Sequence, residues 1–564
     1  MPRPLAWLSL AYFFPIVVTS SLPNDIREDH ENSLHPDIHF IPSTPCIGVG
    51  DIAGAVSING VHSVFQLLSG GNSTNGGLNG WNHATSEDFV RFNNVGVSID
   101  DWPSGFAVHD EENDEMCAGM RTDSIPSDGG QEVDSSMAMR CSPLPPSPLA
   151  GPYDFGEPEK MFNVYNWRFA PYDPFRPILD EEGFWNVGVA FDGCNDTHAY
   201  GDDVPKPPCE EGGGFTTWKS KDLRGGDWEQ NEDFTFLTNR TVFGTDTEGY
   251  EMVTIDFFTP PLVGVPFPEN IQHPYRVLLN NPYYARGSTE YFIGTQEVSP
   301  SFSPFTFDPN VNKNGSQWML DWSAFRPRLD GTGFGKDALN QSEANHPSGG
   351  SYRMTRTLGE EGRRVAYSWV GGLFNGMSIG RDLALDASTG YLMQRFVPEI
   401  SSLRVGDGAK YSSLAEEGEG DVGGSGRTLE LHLKFSNWGR ASNKFGLNVL
   451  AEEGGSGDKC EVSYRPKNGL LCVDCSSQPV PEVPTEHAGD VRCGPLLPDL
   501  GQEETLDIHV IVDKSYVSII ANNFTAITAS ASPKEESYYW NVFKGQEDDE
   551  VEYEVYAWNL TRAN

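Results

Sequence analysis

Long apolar runs are what this chain has least of. Beyond the first 20 residues no stretch offers 18 uninterrupted apolar side chains, which excludes an ordinary membrane-spanning helix there. Positive charge is scarce too: 39 Lys and Arg against 81 Asp and Glu leave a formal net charge of −42. A field of that sign repels nucleic acid and anionic membranes, so neither is an expected partner. No Ser–His–Asp elbow, phosphate loop or dinucleotide fingerprint occurs. The short run Gly212–Gly214 sits in an acidic loop with Cys and Pro and is no phosphate cradle. No cofactor is therefore expected. His39, His62 and His83 lie close in sequence without metal-ligand spacing, and the acidic runs 110–115, 416–421 and 547–554 lack EF-hand spacing. Those runs read as solvated loops or edges, and no metal is expected.

What the chain does have begins with an apolar run from Leu5 to Val18 behind Arg3, followed by the small residues Thr19, Ser20 and Ser21. This pattern predicts a signal peptide over residues 1–20, hence a secreted, extracellular, soluble protein. Seven sequons agree with export: Asn72, Asn195, Asn239, Asn314, Asn340, Asn523 and Asn559 each open Asn-x-Ser/Thr without proline. Nine cysteines in an exported chain read as disulfides with one left over. Cys460, Cys472, Cys475 and Cys493 are expected to form two local bridges rather than a zinc site. Cys117 with Cys141, and Cys194 with Cys209, are near enough in sequence to pair, which leaves Cys46 odd.

A length of 564 residues implies two or more domains. With 60 Gly, 40 Pro and few sustained helical periods, the composition predicts an all-β chain rich in turns. Short alternating strands recur at 185–191, 216–219, 251–258, 290–294 and 364–370, at intervals that suit four-stranded sheets repeated radially. The C-terminal part has a different texture. Leu429, Leu431, Leu433 and Phe435 share one strand face, with Glu430, His432 and Lys434 on the other. A hairpin follows around Lys514-Ser515, then strands at 524–530 and 551–558, a β-sandwich pattern. A short helix is expected over 396–404. The boundaries read as 35–400 for the first domain and 405–564 for the second.

The most informative stretch runs from His35 to Asp101. Asp51 stands in a glycine-flanked turn, Gly50-Asp51-Ile52-Ala53-Gly54. A strand, the turn Asn59-Gly60 and Val61 to Gln66 follow, then Trp81-Asn82-His83-Ala84 and a turn at Ser86-Glu87-Asp88. This resembles the opening of glycoside hydrolase family 32, the invertases, inulinases and fructan hydrolases, which reads W-x-N-D-P-N-G…W-G-H-A-x-S-x-D. Further along, the segment 380–398 is similar to the family's S-x-P-R-x-L-x-L-D…G-x-L-x-Q-x-P-V. Leu506 to Ile519 resembles its sandwich hairpin. The resemblance implies a five-bladed β-propeller followed by a β-sandwich, a carbohydrate substrate, and hydrolysis of terminal β-fructofuranosides.

Retaining hydrolysis needs a carboxylate nucleophile and a carboxylic acid about 5–5.5 Å apart. By the resemblance Asp51 is the nucleophile. Asp173, in Pro171-Tyr172-Asp173-Pro174, matches the aspartate that holds fructose hydroxyls, with Tyr172 where the family has arginine and Arg176 three residues late. The family's W-E-C-x-D-F-F corresponds to Tyr250-Glu251-Met252-Val253-Thr254-Ile255-Asp256-Phe257-Phe258. Anchored on Asp256, it puts Val253 at the acid/base position and Glu251 two residues, about 6.6 Å, earlier on the same strand face. Glu251 is the candidate acid/base. Gln66, Trp81 and Arg176 are candidate substrate contacts. Trp81 and Trp218 could instead be core, Asp51 a turn aspartate, and Asp173 part of a plain Asp-Pro turn. Two other functions remain open: a catalytically degenerate fructan- or glycan-binding protein, and a hydrolase of the same fold for another sugar.

Overall fold

The computed structural model describes residues 34–42, 48–69, 80–99, 105–124, 134–145, 153–164, 171–191, 214–237, 254–263, 275–281, 289–295, 306–307, 318–323, 352–359, 362–371, 374–386, 388–413, 423–453, 457–478, 491–497, 505–544 and 550–563. These residues are nearly all strand, and they form an N-terminal β-propeller followed by a C-terminal β-sandwich.

The first part holds, in chain order, two four-stranded sheets, a ten-stranded sheet whose two portions, joined by a parallel pair, are called the third and fourth sheets below, and a six-stranded sheet, the fifth. The first is Gly48–Ile58, Val61–Ser69, Trp81–Ser86 and Asn93–Ile99; the second begins at Gly105–Asp110. The third begins at Pro171–Pro174, the fourth at Thr254–Phe258 and the fifth at Tyr352–Leu358. The opening strand of each sheet is its innermost. That of the first lies against those of the second and fifth, the second against the third, the third against the fourth, and the fourth against the fifth. The ring is closed. Where two rims meet most closely a side chain does not fit: a Cβ on Gly54 would lie 2.7 Å from the Ala107 backbone nitrogen.

Local chemistry makes the strands. Asn59 and Gly60 take positive φ, 51° and 78°, and the flanking strands pair from Ile58↔Val61 outward, as a two-residue hairpin requires. Asp88 accepts the backbone N–H groups of Val90 and Arg91, at 3.1 and 2.7 Å, and so closes the turn after Ser86. Between sheets the packing is apolar: Phe65, Trp81, Met116 and Met120 fill the first gap, and Phe162, Val187, Trp218 and Trp228 the second.

The sandwich stacks two six-stranded sheets built from strands between Arg404 and Leu560. Leu429, Leu431, Leu433 and Phe435 enter its core, as the alternation predicts. The short helix expected over 396–404 is present as a 3-10 helix, Pro398–Leu403, flanked by strands. Disulfides join Cys117–Cys141, Cys460–Cys475 and Cys472–Cys493, closing separations of 24, 15 and 21 residues. The four sandwich cysteines are thus all oxidised. Cys46, Cys194 and Cys209 lie outside the described residues, as do the signal-peptide region and the sequons at Asn72, Asn195, Asn239, Asn314 and Asn340.

Two buried charges dock the propeller on the sandwich. Arg381, on the fifth sheet, donates to Asp321 and Thr528, both at 2.7 Å, and Thr528 donates back to Asp321 at 2.8 Å. Asp513, in the sandwich, accepts the backbone N–H groups of Asp37, Ile38 and His39 at 2.7, 3.0 and 2.7 Å, and His39 Nδ1 lies 2.8 Å away. Burial alone would push the Asp513 carboxyl up, but the hydrogen bond and charge of His39, with the backbone donors, hold it below the usual carboxylate range.

A carboxyl depressed in the folded state contributes stability that is complete above its unfolded value and disappears as pH falls through its folded one. Asp513→Ala should therefore cost about 3–5 kcal/mol at pH 7, since it strands several buried donors. The gap in Tm between wild type and variant should narrow below about pH 4. A gap unchanged under acid titration would show that the carboxylate's charge is not what docks the two domains.

Candidate active site

The propeller directs the early residues of its innermost strands towards one end, and the first sheet does so irregularly. Its inner strand slips register twice against Val61–Ser69, between Val49 and Ile52 and again between Ile52 and Gly54. Asp51 stands at the first slip. Such bulges re-aim a side chain that regular pleating would send elsewhere. Asp51 is half-buried, whereas the next residue, Ile52, is wholly buried. The glycines around Asp51 thus have a physical use, since Gly54 permits the inner strands to close beside it.

Asp173 is also half-buried. It sits on the short inner strand Pro171–Pro174 of the third sheet and pairs in parallel with Thr254, the first residue of the fourth sheet's inner strand.

Arg356 connects these strands. It is buried on the inner strand of the fifth sheet, and its guanidinium donates to the carbonyl of Ile255 on the fourth sheet and, at 2.6 Å, to that of Gly105 on the second. Burial lowers its pKa, and the carboxylates of Asp173, Asp256 and Asp51 act the other way. All five sheets therefore contribute to one charge cluster on the propeller axis. Nothing in the sequence patterns above marked Arg356. In Tyr352-Arg353-Met354-Thr355-Arg356-Thr357 it reads as one more polar position on a strand.

Asp256 is a structural member of the cluster. Its carboxylate accepts Thr357 N and Oγ1 at 2.7 and 2.6 Å and Phe257 N at 3.0 Å, which ties the fourth inner strand to the fifth. Glu251 and Val253 lie outside the described residues.

Two of the three expected substrate contacts are buried. Trp81 is 0% exposed, packed in the core with Phe65, so it has no face to offer a sugar. Gln66 is equally buried, cross-strand from both Ile52 and Asn82, and forms part of the layer behind Asp51 rather than the surface of a cleft. Arg176, partly exposed, has Asp256, a member of the cluster, and Arg364 as charged neighbours. For Trp81 and Gln66 register decides, because the strand pairing turns the side chain inward. Trp218 is likewise core, stacked on Phe162 at 4.7 Å. The nearby histidines are poor proton carriers at neutral pH. Burial pushes His83 down to about 3, and burial together with Arg363 pushes His62 down to about 4.

The half-buried carboxylates beside a fixed buried cation form a charge cluster that can attack or stabilise an electron-poor carbon. Comparisons with known proteins bear on what that carbon belongs to. Residues 399–559 match the family model described as "Glycosyl hydrolases family 32 C terminal". No curated protein matches the chain in sequence. Among solved structures, the exo-inulinase from Aspergillus awamori superposes with a TM-score of 0.67 at 18% identity, over 94% of this chain and 99% of that one. Fructan 1-exohydrolase IIa from Cichorium intybus, in complex with 1-kestose, gives 0.68 at 16% identity, over 94% and 98%. The β-fructofuranosidase from Schwanniomyces occidentalis, complexed with fructosyl-erythritol, gives 0.63 at 17% identity, over 93% and 98%. These likenesses extend the same fold over both domains.

A double-mutant cycle tests the charge cluster directly. Arg356→Met should destabilise by about 3–5 kcal/mol, because it leaves carboxylates facing one another without their cation. Adding Asp51→Asn should recover part of that loss, with a coupling of about 1 kcal/mol or more. Losses that add to within about 0.5 kcal/mol would mean that Arg356 and Asp51 do not share a site.

Proposed function

We propose that this chain, whose C-terminal domain belongs to glycoside hydrolase family 32, is a secreted glycosidase that hydrolyses terminal β-fructofuranosides such as sucrose, inulin or levan. The observation that carries the reading is the presentation of Asp51 and Asp173 over the one buried Arg356, in a fold shared with fructan-cleaving enzymes. Asp51 attacks the anomeric carbon and its carboxylate becomes the ester of a fructosyl-enzyme. Water then cleaves that ester and restores the anomeric configuration. Asp173 grips ring hydroxyls and strengthens its hold as positive charge develops on the sugar.

Glu251 supplies the proton to the leaving oxygen and later takes one from water. Chain length supports this assignment. Only two residues lie between Glu251 and Thr254, the strand partner of Asp173. Export is proposed on the N-terminal apolar run and the sequons. The sequon asparagines Asn523 and Asn559, both described, are exposed, as a glycan requires.

A second reading has its own support. Gly50 and Tyr172 replace the asparagine and arginine that flank the two aspartates in the family pattern, and Val253 stands at the family's acid/base position. A protein that keeps the cleft and binds fructans without cleaving them would show those changes.

Purified protein should release fructose from sucrose or inulin. Asp51→Asn should lower kcat by at least about 10^4-fold while leaving the fold intact. Glu251→Gln should lower it by about 10^2–10^4-fold, least for substrates with good leaving groups. Absence of turnover across a fructoside panel, with calorimetric binding of a fructan, would replace the hydrolase by the binder. Unchanged turnover in Glu251→Gln would move the acid to another residue.

A further inference from the structure

One edge of the sandwich places an exposed apolar side chain beside a sequon. The strand Arg404–Ser412 lies at the end of its sheet, next to Glu552–Leu560, which in turn pairs with Thr428–Ser436. Among the described residues no strand pairs with its outer side. An open edge of this kind is a template for pairing with another chain. Part of it is blunted: pairing with Glu552–Leu560 slips between Val405 and Ala409, where Gly406 and Gly408 take positive φ, 69° and 76°. Val405 lies before the slip and is 53% exposed, so the bulge does not cover it.

Register sets what stands next to it. Val405, Asn559 and Leu429 are directly opposed across the three strands, so their side chains share one face of the sheet. Leu429 is buried in the sandwich core, whereas Asn559 and Val405 are exposed. The row therefore runs from the core past its rim into solvent. Asn559 opens the sequon Asn559-Leu560-Thr561, and Thr561 ties the neighbouring strand to it. Its backbone N–H and its hydroxyl both donate to the Leu403 carbonyl, at 2.8 and 3.2 Å. On the Leu429 side the space is filled, since a Cβ added to Gly426 would lie 2.5 Å from Asn559 Oδ1. The open side of Asn559 is the one that holds Val405.

We propose that Asn559 carries an N-glycan whose first sugar lies over Val405 and covers this edge of the sandwich. The inference rests on the export proposed above and adds a structural part for one particular glycan. Directly opposed Cβ atoms stand about 4.5–5.5 Å apart, so an N-acetylglucosamine on Asn559 Nδ2 begins beside the valine methyls. Its acetamide methyl and the C–H face of its ring displace water from Val405, while its hydroxyls stay solvated. Its bulk also stands where a strand of another chain would have to add, which closes the edge that the bulge leaves open.

Glycopeptide mapping of the full-length chain, secreted from a eukaryotic host, should find Asn559 occupied. Thermal unfolding of Asn559→Gln, Val405→Ser and the double variant then reads the contact, whether or not the protein hydrolyses fructosides. Asn559→Gln should lower Tm by about 2–4 °C, the shift expected from uncovering part of one valine in a domain of this size. Val405→Ser should lower it similarly in the glycosylated chain and hardly at all in Asn559→Gln, where the sugar is already gone. Asn523→Gln, which removes the other described sequon, should show no such coupling to Val405→Ser. Enzymatic trimming of the glycan to its first sugar should leave Tm unchanged. Equal effects of Val405→Ser with and without the Asn559 glycan overturn the proposal. So does an empty Asn559 in a chain glycosylated at other sequons, and both results leave export standing. A secretory-host product with no glycan at any sequon overturns the two together.

Discussion

A buried guanidinium at the centre of a ring of strands is the constraint from which the rest of this structure follows. Arg356 cannot shed its charge at any ordinary pH, so its surroundings must supply acceptors and counter-charge. Carbonyls from the second and fourth sheets supply the first, and aspartates from the first, third and fourth supply the second. Each of those groups is in place only when the inner strands have closed into a ring. The interaction therefore links closure of the propeller to assembly of the carboxylate pair. It also explains why a bulged, glycine-bearing strand is tolerated in the first sheet. Regular pairing there would stabilise the hairpin but would not bring Asp51 to the axis.

The same device recurs at the domain boundary. Arg381 with Asp321, and Asp513 with His39, are buried polar contacts at which one wrong register leaves several donors unsatisfied. Such contacts add little net stability over an apolar equivalent, but they penalise misdocking heavily. Apolar packing supplies the bulk of the interface: Ile511, Ile520 and Leu560 of the sandwich share a core with Val365, Tyr367 and Phe396 of the fifth sheet. Rigid docking keeps the fifth sheet, and so Arg356, at a fixed height relative to the other four.

Much of this was legible in the sequence because local rules produced it. The Asn59-Gly60 hairpin, the alternating strand through Leu429 to Phe435 and the oxidised sandwich cysteines each depend on a few adjacent residues. The short helix expected over 396–404 is likewise there, a six-residue 3-10 helix that Pro398 opens. The site was legible only in part. Asp51 and Asp173 stand in quotable motifs, whereas Trp81 and Gln66 were misplaced. An aromatic or amide beside a catalytic motif reads the same whether it faces the cleft or the layer behind it, and only cross-strand register separates the two. Arg356 was illegible for a related reason. Its burial comes from four other strands, distant in sequence, and an arginine on a threonine-rich strand looks like a solvated edge.

The central claim is that Asp51 forms a covalent bond with the fructosyl group. It is tested most directly by acid quenching a Glu251→Gln variant during incubation with a fructoside that has a good leaving group, then mapping peptides by mass spectrometry. The account predicts a fructosyl adduct on the peptide that contains Asp51, absent when Asp51→Asn is added. Fructose release without any adduct, or an adduct on a different carboxylate, would contradict it.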